Sequence, residues 1–242
     1  MRATPVLLAK KDVAEAAREG TILYSFFPAA FLFFASLYNA NGAELVPRLA
    51  SLALVLGSLD VAFFMAREKD KGIVAKLLLS TASSWSIAGG KLLSGFTLGL
   101  LKSTLILAVL KYSFGGLVSG NASLDAYWIA WFYAASSLVT LLAVSLGLLC
   151  FSLCGGLKAA LLYLSLLALF AVQPAIFQSG APARAGWYDP FGSAYGLMEK
   201  LIAEPQSAGA LTGEGLAIVP LWIVILYLSA GFAIKGKPSR AS

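Results

Sequence analysis

The side chains able to do chemistry are few in this chain of 242 residues. There is no histidine, which removes the commonest general base at neutral pH and the commonest metal ligand. Serine–histidine hydrolysis and imidazole-bound metals are excluded with it. Cys150 and Cys154 are the only thiols, both inside an apolar run. Two sulfurs alone do not make a metal site, so they read as reduced thiols of a membrane helix. The Gly-Gly-Lys of "AGGKLL" at 88–93 lacks the first glycine and the Ser/Thr of a phosphate-binding loop. The chain therefore hydrolyses no nucleotide by itself, and no cofactor is expected. Two charged residues, Asp60 and Lys102, stand in otherwise apolar surroundings, and their meaning depends on the elements that hold them.

Those elements are membrane helices. Hydrophobic residues make up 59% of the chain and charged residues 12%, with a mean hydropathy of +0.82. A soluble domain carries about 25% charged residues, so this composition cannot cover a water-facing surface. The expected fold class is an all-α integral membrane protein. A spanning helix needs about 20 mostly apolar residues, and six segments qualify, at about 21–38, 49–66, 88–110, 127–149, 159–177 and 216–234. The uncharged stretch from Ala126 to Leu157 is too long for one untilted span, and Gly155-Gly156 permits a turn out of the membrane there. Asp60 then lies about 10 Å before Arg67 in the second span, and Lys102 about 16 Å beyond Lys91 in the third. Charges at such depth are costly. Either the two neutralise each other, with the lysine stem covering the difference in depth, or they handle substrate or protons.

Lys and Arg in the short loops set orientation. With the N-terminus cytoplasmic, only Arg48, Lys111, Arg184 and Lys200 face outward and Lys102 is intramembrane; the rest of the 18 basic residues lie inside. The chain is thus expected to be a multi-pass protein of the cell (inner) membrane with both termini cytoplasmic. This asymmetry accounts for the net charge of +6 without nucleic acid. Residues 1–20 read as an amphipathic helix on the inner surface, with Val6, Leu7, Val13, Ala14 and Ala17 at near-helical spacing. Residues 21–242 form one six-span domain with an outer helical segment at about 178–215. There Asp189-Pro190 suits a helix start, and Trp187, Tyr188, Phe191 and Tyr195 suit a membrane interface, as in a short helix dipping into the outer leaflet. Gly95 and Gly99 form a Gly-x3-Gly in the third span that admits a close neighbour, read as packing within the subunit.

The densest charge, Arg67-Glu68-Lys69-Asp70-Lys71, opens a cytoplasmic loop at about 67–87 between the second and third spans. It continues with Gly72, Ile73, Lys76-Leu77-Leu78-Leu79, Ser80-Thr81 and Gly90-Lys91-Leu92-Leu93. In this order and spacing the chain resembles the ABC-2 type family of ABC transporter permeases. "YDPFGSAYGLMEKL" is similar to that family's Asn-Pro-containing stretch, with Asp189 where Asn is usual.

The resemblance implies a transmembrane permease subunit of an ATP-binding cassette exporter. It would pair with a second permease subunit, as homo- or heterodimer, and with a separate ABC ATPase subunit that binds the ATP. It also implies a coupling helix at about 72–80, seated in a cleft of the ATPase. Ile73, Leu77 and Leu78 would face the partner or the lipid bilayer, and Glu68, Lys69, Lys71 and Gly72 would complete the coupling set. Largely apolar spans point to an amphiphilic or lipidic substrate. The alternatives are a haem-exporter-like permease, or a secondary carrier independent of ATP.

Overall fold

Capping residues set where the helices begin in the computed structural model, which describes residues 4–18, 20, 26, 29–30, 45–58, 64–65, 67–68, 70–73, 82–113, 126–154, 156–169, 189–203 and 214–235. Thr4 precedes α1 (Pro5–Arg18) and its Oγ1 accepts the Leu7 N–H at 3.4 Å. Ser83 precedes α3 (Ser84–Ser113) and accepts the Ser86 N–H at 3.0 Å. Asp189 precedes α6 (Pro190–Ala203), and its Oδ1 accepts the Gly192 N–H at 2.8 Å. In α1 and α6 a proline follows the cap, where its missing N–H costs nothing. The other helices are α2 (Leu45–Gly57), α4 (Ala126–Leu153), α5 (Gly156–Leu167) and α7 (Glu214–Lys235). No strand occurs among the described residues.

Three helical stretches are long and apolar enough to cross a membrane: Ser84–Lys111, Trp128–Leu153 and Leu216–Lys235. They agree with the third, fourth and sixth expected segments, and the break between α4 and α5 falls at Cys154, beside the expected Gly155-Gly156 turn. Leu157–Leu167 is a shorter apolar helix. Most of the first expected span lies outside the described residues, as do residues 59–63 of the second and 170–177 of the fifth.

Helix α4 is the hub, packed by α2, α3, α5, α6 and α7. Phe132, Val139, Leu142 and Ala143 on it are fully buried. Helix α7 is peripheral, exposing Leu221, Val224, Ile225, Leu228 and Phe232 along its length, as a helix facing lipid tails does. Helices α3 and α4 run antiparallel at close range. A Cβ on Gly99 would stand 2.5 Å from Thr140 Cγ2, and one on Gly95 would stand 2.8 Å from Val144. The Gly-x3-Gly thus serves contact within the chain, as its spacing led us to expect. Polar joints complete the core. The Tyr163 hydroxyl on α5 lies 2.7 Å from Ser58 Oγ and donates to Ala143 O at 3.1 Å, tying α5 to the end of α2 and to α4.

Two aromatics of α6 that suit a membrane interface are instead covered by the protein itself. Phe191 and Tyr195 are 2% and 6% exposed, with Ala194, Leu197, Met198 and Leu201 buried beside them. These side chains repeat every three or four residues and so form one face, which α2, α4 and α7 cover. The aromatics that suit an interface also fill a helix junction, and here the junction takes them. Trp128 seals it by donating from Nε1 to Leu201 O at 2.9 Å.

Candidate functional site

Helix α1 lies across the head of α3, and two glycines let it. A Cβ on Gly90 would stand 2.7 Å from Leu8 Cβ, and one on Gly89 would stand 3.5 Å from Pro5. The face of α1 that docks there carries Leu8, Ala9, Asp12 and Ala16, all buried. Leu8, Asp12 and Ala16 recur every four residues, one stripe of a helix. Leu8 forms a small apolar cluster with Ala82 and Ile87, separate from the main core. Val6 and Leu7 point away, 64% and 54% exposed.

The stripe delivers Asp12 to Lys91, which is itself buried two turns into α3. Lys91 Nζ donates to Asp12 Oδ2 at 2.9 Å. It also forms an ion pair with Glu68 Oε2. Residues 64, 65, 67, 68 and 70 are helical, so Phe64 and Glu68, four apart, share a face. The Phe64 ring centroid stands 4.8 Å from Lys91 Nζ, where a cation meets the negative face of the ring. Gly72, at φ +67°, then ends this helical run in the left-handed conformation that glycine adopts without strain.

Two carboxylates from separate segments thus converge on one buried ammonium. Glu68 is only 3% exposed, and neither of its oxygens makes a directed hydrogen bond. Its contact with Lys91 is ionic rather than directional. Lys11, half-exposed at the rim, stands 3.8 Å from Glu68 Oε1 and 3.4 Å from Glu15 Oε1. Carboxylate oxygens of Asp12, Glu15 and Glu68 lie within 4.8 Å of one another, and the lysines supply the opposing charge. Burial pushes the Asp12 carboxyl above its ordinary value of 3.8. The Lys91 charge and hydrogen bond pull it back, and Glu68 pushes it up again. Such an arrangement can hold segments together, take up a proton, or let go when its charge changes.

Of the residues singled out from sequence, Glu68 therefore faces inward, whereas Arg67, Asp70 and Lys71 are exposed and Gly72 and Ile73 are half-buried. Lys69, Leu77 and Leu78 lie outside what is described, as does Asp60. Lys102 is buried at 1% exposure within α3. Asp12 and Lys91 escaped sequence reasoning as a pair, being read as a charge of the surface helix and a lysine at the cytoplasmic entry of the third span. Two signals pointed to them: Asp12 interrupts the stripe of Leu8 and Ala16, and Gly89-Gly90 immediately precedes Lys91.

At the same end, the Trp85 ring packs on Tyr227 at 5.6 Å and edge-on to Phe232 at 5.3 Å. Gly231 lies beneath the ring, where any Cβ would collide. The head of α3 is thereby joined to the tail of α7. No protein-family model matches the chain, and no curated protein matches it either.

Proposed function

We propose that this chain is the membrane-spanning permease subunit of an ATP-binding cassette exporter. It works with a second permease subunit and a separate ATPase, and moves an amphiphilic or lipidic substrate out of the cytoplasm. The observation that carries the reading is the tie between Glu68 and Lys91. It connects a loop whose Arg67, Asp70 and Lys71 are exposed to the head of a long apolar helix. A partner that seats itself on the loop therefore pulls on α3 directly, which is what coupling hydrolysis to transport requires. Helix α3 has the length for it, about 45 Å at 1.5 Å per residue against a hydrocarbon core of about 30 Å.

Further features support the same architecture. The exposed apolar face of α1, flanked by Lys10, Lys11 and Arg18, suits the anionic inner surface of a membrane. Helices α3 and α7 join head to tail, as two spans of opposite direction in a six-span chain with both termini inside would.

The test uses the apolar anchors of the coupling segment. Central apolar anchors of an interface typically contribute about 2 kcal/mol or more, whereas rim charges contribute little. Leu77→Ala with Leu78→Ala is expected to leave the protein inserted and folded, yet to weaken co-purification with the candidate ATPase or uncouple ATP turnover from export in vesicles. Lys69→Ala is expected to alter mainly the salt dependence. Normal association and normal export in the double variant would reject the coupling role.

A further inference from the structure

We infer that Lys91 is the single pin of a charge latch that holds α1 and the 64–73 segment on the head of α3, so that its loss frees α1 while the helices beneath stay folded. The inference does not depend on the export reading. Helix α1 buries little apolar surface of its own: Leu8, Ala9 and Ala16, with the Leu8–Ala82–Ile87 cluster standing apart from the main core. Close packing of Pro5 and Leu8 on Gly89 and Gly90 places α1, and the buried charges beside it decide whether that seat is held.

The electrostatics are lopsided. Asp12 and Glu68 are both buried and both turned to one ammonium, so the buried trio carries one carboxylate more than it has cations. Among the described residues, Lys11 and Glu15 at the half-exposed rim also lie close to the trio, and Lys11 pairs with Glu15 as well as Glu68. Loss of either carboxylate leaves a balanced one-to-one pair. Loss of the lysine leaves two buried carboxylates facing each other. Removing one partner of a buried ion pair is strongly destabilising, whereas replacing all of it with neutral groups is often tolerated. Asp12 and Glu68 are thus individually dispensable and Lys91 is not. Lys91 acts as a positioning residue, because it reaches the loop through Glu68 and α1 through Asp12.

The experiment is amide hydrogen exchange on the full chain in vesicles of phosphatidylcholine with phosphatidylglycerol, read separately over α1 and over α4. Lys91→Met is expected to raise exchange in α1 at least about tenfold, with α4 unchanged. Asp12→Asn and Glu68→Gln, each alone, should raise it far less. The triple variant Asp12→Asn, Glu68→Gln, Lys91→Met should return α1 close to wild-type protection, and should accumulate even where Lys91→Met alone does not. The inference is overturned if Lys91→Met is no worse than Asp12→Asn, if α4 loosens together with α1, or if the triple variant fails to recover.

Discussion

Asp12 is the residue through which the cluster answers to pH. Its carboxyl is raised above 3.8 chiefly by burial, with Glu68 adding to the shift and Lys91 opposing it. The docked state therefore holds the Asp12 proton more tightly than an undocked or unfolded one does. The resulting stabilisation is fully present below 3.8 and is lost as pH rises through the elevated value. Thermal unfolding followed across the mildly acidic range is expected to shift to lower temperature as pH rises, and Asp12→Asn should flatten that slope. An equally steep slope in Asp12→Asn would place the response elsewhere. Such a role was only half legible in the sequence. Periodicity identifies the helix around Asp12 but pointed to the face of Val6 and Leu7, which the structure exposes, because a charge between Leu8 and Ala16 reads as an interruption until its counter-charge is found. That counter-charge lies 79 residues away, a distance that local spacing does not encode.

At the scale of the element, a glycine's meaning depends on what it faces. Gly99 faces Thr140, and adding a methyl there brings it within 2.5 Å of Thr140 Cγ2. Overpacking of this kind typically costs about 1–3 kcal/mol. Gly99→Ala should lower the thermal midpoint accordingly, and Thr140→Ser, which removes that methyl, should recover part of the loss. Additive losses in the double variant would mean that the two helices adjust independently. The helices themselves were largely readable: the ends of α3, α4 and α7 fall within a few residues of the hydropathy boundaries, and Asp189-Pro190 marks the start of α6. Their facing was not. A helix apolar on all sides does not announce which side meets protein, so nothing in composition separated the central α4 from the peripheral α7. The same ambiguity sent Phe191 and Tyr195 to an interface when the structure buries them.

For the whole molecule, the uneven distribution of Lys and Arg among the expected loops makes the remaining prediction. A reporter fused at Ser242 is expected to be active only in the cytoplasm and one inserted near Gly180 only outside; an outside signal at Ser242 would reject the six-span arrangement. Helices α3 and α4 pack antiparallel, with Gly99 against Thr140 and Gly95 against Val144, and Trp85 against Tyr227 joins the head of α3 to the tail of α7. The seat of α1 also sets an order of events in synthesis. Leu8 would meet a Cβ on Gly90 at 2.7 Å, and Asp12 pairs with a lysine 79 residues further along the chain. Helix α1 leaves the ribosome before that lysine does. It must therefore wait, unseated, until the head of α3 has emerged, and a nascent chain that stalls before Lys91 has nowhere to put it.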